Sequence, residues 1–271
     1  MSKESKPLIL VTNDDGIHSP GLLAAAEAVH DLGEILVLAP KHQQTGAGRS
    51  TFSCSNVPIQ EEHITVGGKR VSAFSVEGTP AQAVLYALVE VAQRKPSLAI
   101  SGINYGENLG TGVTASGTVG AALEAAVFDI PSLAISLETS KEYHYSHSHD
   151  MNFTAAAFFT RIFAQRLLAV KLLPDVDVLK IDVPEGATEK TPWRLTRVSR
   201  QRYFHPIESD SAGSPVASTI DYEVRVDFDT LETDSDVFAL VKDRVVSVSP
   251  LTLDLSSRVD LSQFAQLLKP G

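Results

Sequence analysis

The 271-residue chain holds one cysteine, Cys54. No intrachain disulfide can form, and no zinc site built on cysteines. Positive charge is short too. Twenty-three Lys and Arg stand against 33 Asp and Glu, a net charge of −10, and no basic run stands out. A nucleic-acid duplex finds no landing strip, although a small anion can still bind in a locally positive pocket. Long apolar runs are missing as well. The N-terminal run, residues 8–11, covers four residues, too short for a signal peptide or a membrane span. No stretch approaches the ~18 consecutive apolar residues of a spanning helix. No membrane partner is expected, and a cytoplasmic enzyme or binding protein is the starting position. Internal repeats and low-complexity segments are absent. What remains is ordinary for a globular protein: 43% hydrophobic and 21% charged residues. The length suits one large domain, or one domain with an appendage.

The order of elements is more telling. "LILV" reads as a strand buried on both faces. "SPGLLAAAEAVHDLG" follows as a helix, with Ser19 as N-cap, Pro20 in the first turn and Gly33 as a stop. "EILVLAP" is a second buried strand, which completes a βαβ unit. Further strands are expected at 71–76, 98–101, 132–136 and 176–183, and helices at 79–91, 117–128 and 151–168. The alternation predicts a doubly wound, mostly parallel α/β sheet, Rossmann-like and three-layered. Past residue 190 the helical period fades. Residues 202–228 read as a long antiparallel hairpin with its tip at 209–215. Two strands alone are marginal in water, so this hairpin is expected to pack on a second subunit. "DRVVSVSPL" gives a late strand and residues 261–268 a terminal helix. The expected division is an α/β core over 1–190, a hairpin arm over 191–232 and a C-terminal strand and helix over 233–271.

In an open parallel sheet, ligands bind beyond the carboxyl ends of the strands. Polar residues collect there. Asn13, Asp14 and Asp15 follow the first strand, Thr45 and Gly46 the second, and Asn104, Asn108, Ser116, Gly117 and Thr118 the strand at 98–101. Two adjacent carboxylates repel, and a shared cation offsets that repulsion. Oxygen donors without cysteine or ordered histidine suit a hard cation: Mg²⁺, Mn²⁺ or Ca²⁺. The plainer alternative is that Asp-Asp-Gly makes only a turn and a helix cap. "ASGTVGAALEAA" starts a helix with two hydroxyls and free N–H groups, which suits a phosphate; an ordinary Ser/Thr cap looks the same. "EGTPAQAV" carries the same ambiguity. His144, His147 and His149 have no helix to hold them and read as a solvated loop. His18 and His42 lie close enough in sequence to reach the site, and Arg49 is an extra candidate for an anion.

Taken together, "VTNDDGIHSPG", "LAPKHQQTGAG", "SVEGTPAQAV", "SGINYGENLG" and "ASGTVGAALEA", in this order, resemble the SurE (survival protein E) family of nucleotidases and phosphatases. "TDSDVFAL" and "VVSVSPL" extend the resemblance toward the C-terminus. It implies metal-dependent hydrolysis of phosphate monoesters, with nucleoside monophosphates as substrates and one divalent cation per subunit. The family's ligands carry over to Asp14, Asp15 and Asn104, with Thr45 where the family has serine. Ala115 stands where the family often has tyrosine. Asp14 and Asp15 are then the catalytic pair. Asn13, Gly46, Asn108, Ser116, Gly117 and Thr118 are the expected phosphate and substrate contacts. The resemblance also implies a homodimer or homotetramer with exchanged C-terminal arms. Two other readings remain open: an aspartyl-phosphate phosphatase in which an Asp attacks phosphorus itself, and a nucleotide-binding stress module with little hydrolysis.

Overall fold

A computed structural model describes residues 6–51, 57–144, 148, 150–208 and 220–269. Its centre is a sheet that, among the described residues, has nine strands in the order β3-β4-β2-β1-β5-β6-β7-β11-β8. In chain order these are β1 (Leu8–Thr12), β2 (Glu34–Pro40), β3 (Ile59–Val66), β4 (Lys69–Val76), β5 (Leu98–Tyr105), β6 (Ser132–Leu137), β7 (Val178–Val183), β8 (Trp193–Leu195) and β11 (Val246–Leu251). From β4 to β7 the strands run parallel; β3 and β11 flank them antiparallel. The helices are α1 (Pro20–Val29), α2 (Pro80–Tyr86), α3 (Gly117–Val127), α4 (Thr154–Ala169) and α5 (Leu261–Leu267). This is the doubly wound arrangement expected.

Strand β1 shows why. All five of its residues are buried, and successive side chains point to opposite faces. Ile9 and Val11 join the core under α1 and α4, with Leu22, Phe159 and Phe163. Leu8 and Leu10 join the core under α2 and α3, with Val84, Ala121 and Ala125. Each such side chain contributes about 1.5–3 kcal/mol of burial, so one continuous apolar run ties both helical layers to the sheet.

The helix starts follow their sequence signals. Thr79 forms a reciprocal capping box with Gln82, and Pro80 opens α2. Helix α2 ends at Tyr86 and continues as a π-helical turn, Ala87–Val91. Ser116 caps α3 by accepting a hydrogen bond from Val119 N at 3.1 Å. Ser19 occupies the N-cap position of α1 but makes no side-chain cap bond.

Three features depart from the sequence reading. Strand β3 was not expected; it pairs with β4 through a Gly67–Gly68 turn whose residues have φ of 57° and 72°. Strand β8, beside β11, was not expected either. The arm, β9 (Phe204–Glu208) paired with β10 (Ile220–Val224), was expected to lack cover in its own chain. Its base in fact has a core in the same chain: Tyr203 is buried with Leu109, Leu231, Val237 and Leu240, and Phe204 and Val226 lie against them. The expected tip at 209–215, like Cys54, His147 and His149, lies outside the described residues. Helix α5 stands apart, with none of its residues buried.

Candidate active site

The loops beyond β1, β2 and β5 surround a cavity of about 580 Å³, within the size range of small-molecule sites. Its floor is built from the β1 loop. The Asn13 side chain staples this loop: its Nδ2 donates to Gly16 O and its Oδ1 accepts from Gly16 N, both at 3.1 Å. Gly16, at φ 105°, lets the chain turn so sharply. Asp14 and Asp15 are thereby sunk into the protein, only 4% and 1% exposed.

Asp14 lines the cavity. Its Oδ1 accepts from Thr118 Oγ1 at 2.6 Å. The start of α3 presses so closely that a Cβ on Gly117 would lie 2.8 Å from Asp14 Cβ and Oδ2. Asp15 stands just behind. Its Oδ2 accepts from Tyr105 N at 3.3 Å and its Oδ1 from Gln43 Nε2 at 3.1 Å. Burial pushes the Asp14 carboxyl up to about 6, against the Thr118 hydrogen bond. Burial, and then the charge of Asp14, lifts Asp15 well above the usual carboxylate range. Both directions state one fact: two anions side by side in a dry place are costly. A divalent cation would reverse that cost.

The other expected donors approach from two loops. Thr45 and Gly46 line the cavity. Their loop is fixed by Gln44 N donating to Asp14 O at 2.7 Å and Gly48 N donating to Ala115 O at 2.9 Å. Asn104 lines it from the end of β5, its Nδ2 donating to Gly106 O at 2.6 Å, so its amide oxygen is the atom that could serve a cation. Two carboxylates, an amide oxygen and a hydroxyl form an oxygen set that fits a hard cation.

Asn108 and Ser116 complete the wall. Asn108 is held from both ends: Nδ2 donates to Ser136 Oγ at 2.8 Å and the backbone N donates to Asp182 Oδ1 at 2.7 Å. Asp182 belongs to a fully buried triad with Lys180 and Asp236. Lys180 Nζ bonds Asp182 and lies 3.1 Å from Asp236 Oδ2. Asp236 in turn accepts from Gly110 N at 3.2 Å. The triad anchors residues 108–110 from beneath.

Of the expected residues, Asp14, Thr45, Gly46, Asn104, Asn108 and Ser116 face the cavity. Asn13, Asp15, Gly117 and Thr118 support it from behind. Arg49 points elsewhere, pairing with Glu124 at 2.8 Å. The His18 side chain is 72% exposed, 3.9 Å from Glu62, and His42 is exposed. His144, expected on a solvated loop, is instead half-buried in the cavity wall. Its Nε2 lies 3.2 Å from Thr139 O and its Nδ1 2.6 Å from Tyr222 Oη. The carbonyl can only accept, so the neutral ring carries its proton on Nε2 and accepts from the Tyr222 hydroxyl. Burial lowers the His144 pKa, which favours that neutral form.

The arm supplies what the sequence reading left out. Arg202, Phe204, Pro206, Asp221 and Tyr222 line the same cavity as Asp14. The signal was present in "QRYFHP" and "DYEV", where aromatic and charged residues interleave on a hairpin, but their destination lies some 80 residues away in sequence.

Known proteins resemble this chain over nearly its full length. The family model "Survival protein SurE" matches residues 9–205. A protein named 5'-nucleotidase SurE from Thermococcus gammatolerans is 39% identical over 262 residues, covering 96% of this chain and 95% of that one. One of the same name from Methanothrix thermoacetophila is 38% identical over 269 residues, covering 96% and 98%. Among solved structures, the Sure protein from Aquifex aeolicus superposes with a TM-score of 0.74 at 28% identity, covering 97% of this chain and 100% of that one.

Proposed function

The chain belongs to the SurE family, and from that premise we propose that it hydrolyses the phosphate monoester of nucleoside monophosphates, with one divalent cation held by Asp14, Asp15, Asn104 and Thr45. The observation that carries this reading is a pair of dehydrated, adjacent carboxylates, Asp14 lining and Asp15 directly behind the wall of a cavity that is also lined by Thr45, Asn104, Asn108 and Ser116. Such an ion supplies a Lewis acid for the phosphoryl oxygens and lowers the pKa of the water it binds. The residues do the rest. Asp14, fixed by Thr118, orients the attacking water and takes its proton. Ser116, the N–H groups at the start of α3 and the Asn108 amide face the equatorial oxygens, where charge spreads as the bond to the nucleoside oxygen breaks. Arg202 is the one Lys or Arg among the described residues that line the cavity, and it adds positive charge there.

Two further parts of this reading concern setting and assembly. The single cysteine suits a reducing cytoplasm, and no described helix is long and apolar enough to cross a membrane. Helix α5 exposes Leu261, Phe264 and Leu267 at 74%, 48% and 77%. An apolar face of that kind calls for a covering surface. A second copy of the chain supplies it, in a symmetric dimer or tetramer.

The test of the reaction is AMP hydrolysis with Mg²⁺ or Mn²⁺ and with EDTA. Activity is expected only with metal. Thr45→Ser is expected to stay within a few-fold of the wild type and Thr45→Val to lose most activity. Equal rates for Thr45→Val and wild type would remove this residue from the ligand set.

A further inference from the structure

The arm is more than an appendage beside the cavity. Four contacts lock β10 onto the segment that carries His144. Lys141 Nζ bonds the Asp221 carboxylate and donates to Tyr222 O at 2.8 Å. The same ammonium lies 4.6 Å from the centre of the Tyr222 ring. The Tyr222 hydroxyl meets His144 Nδ1 at 2.6 Å. The segment is itself tied to the catalytic floor, because Gln43 Nε2 donates both to His144 O at 2.7 Å and to Asp15 Oδ1 at 3.1 Å. The His144 ring also packs on Gly106, where a Cβ would come within 2.7 Å of Nε2. A chain of direct contacts thus runs from Asp15 to the arm.

The lock presents aromatic surface to the cavity. Phe204 and Tyr222 sit edge to face, with ring centres 5.3 Å apart and planes at 80°. Phe204 is braced in the same way by Tyr203, at 4.8 Å, which is buried in the core at the arm's base. Both Phe204 and Tyr222 are partly exposed and line the same cavity as Asp14, Asn104 and Ser116. A cavity lined by both polar oxygens and braced rings matches a ligand that carries both a phosphate and a flat heterocycle. Aromatic side chains take up a base through its π-face without regard to its identity.

We propose that Tyr222 and Phe204 form the nucleobase-contacting wall of the site, with Lys141 and His144 as positioning residues that hold the arm in place. This rests on the nucleotidase reading above and gives it a specificity element supplied by the same chain. Base-bearing substrates then gain over base-free ones through the arm, and the preference among bases is weak.

The experiment compares AMP with ribose 5-phosphate, for wild type, Tyr222→Phe, Tyr222→Leu and Phe204→Leu. The wild type is expected to prefer AMP in kcat/KM. Tyr222→Leu is expected to cut that preference roughly tenfold, the scale of one base stacked on one ring, mainly through KM. Tyr222→Phe keeps the ring and is expected to keep most of the preference. Calorimetric titration of each variant with AMP in EDTA reads the same wall without turnover, so a protein that fails to hydrolyse AMP refutes the nucleotidase reading while the wall is still tested. Circular dichroism and melting confirm that each variant is folded. Equal losses on AMP and ribose 5-phosphate, unchanged AMP affinity in folded Tyr222→Leu and Phe204→Leu, or no AMP binding by the wild type would overturn the proposal.

Discussion

Glu107 gives the account a measurable consequence for stability. It sits beside Asn108 in the cavity wall and is only 5% exposed. Its Oε2 finds no hydrogen-bond partner among the described residues. Burial therefore raises its carboxyl from an ordinary 4.5 to about 7, against a hydrogen bond from Tyr203. In the unfolded chain the proton leaves near 4.5; in the folded protein it stays until about 7. Between those values the folded state binds more protons, so stability must fall as pH rises. It is fully present below pH 4.5 and levels off above pH 7, after a loss of about 3 kcal/mol. Glu107→Gln removes the titration but keeps the shape. The two proteins should be similar in stability at pH 5, and Gln should be the more stable at pH 8. At about 2–4 °C per kcal/mol for a chain of this size, the gap is roughly 6–12 °C in Tm. The assay is thermal or urea unfolding in EDTA between pH 5 and 8. Parallel curves for the two proteins would falsify the assignment of a buried, protonated Glu107.

Other outcomes follow from single contacts. Gly117→Ala places a methyl where Asp14 stands; displacing a reacting group by such a distance costs on the order of 100-fold in rate, so AMP hydrolysis should collapse while the circular dichroism spectrum is kept. Lys180→Met leaves Asp182 and Asp236 buried without their cation, and urea unfolding should show a loss of about 3–5 kcal/mol. Light scattering at micromolar concentration should give a dimer or larger, and replacing Leu261, Phe264 and Leu267 together by serine should give a smaller species; a wild-type monomer would contradict the assembly.

The parts of the fold that local pattern reveals are those fixed by local physics. Residues 8–11 are apolar without alternation because β1 is covered on both faces, and that alone places Asn13, Asp14 and Asp15 at the rim of a parallel sheet. Ser116 caps α3 as its position before an alanine-rich helix suggests. Strand β3 escaped because "IQEEHITV" is polar on an edge, although the Gly67–Gly68 turn was a readable hairpin signal. The Lys180 triad was foreshadowed by two opposite charges two residues apart on the same side of an apolar strand, but the third member, Asp236, comes from far along the chain. The arm's role was the least legible. Its alternation marked a hairpin correctly, yet Lys141 to Asp221 and His144 to Tyr222 are contacts across some 80 residues, on which local periodicity is silent. For the same reason His144 looked like one of three loop histidines rather than part of a wall.

The central claim is that Asp14 and Asp15 are buried together to hold a divalent cation that hydrolysis requires. Its most direct test is calorimetric titration of metal-free protein with Mn²⁺, wild type beside Asp15→Asn, with AMP hydrolysis measured on the same samples. One site per chain is expected in the wild type, with a steep loss of Mn²⁺ affinity in Asp15→Asn and a parallel loss of activity that excess Mn²⁺ partly restores. Full hydrolysis by the Asp15→Asn protein in EDTA would contradict it.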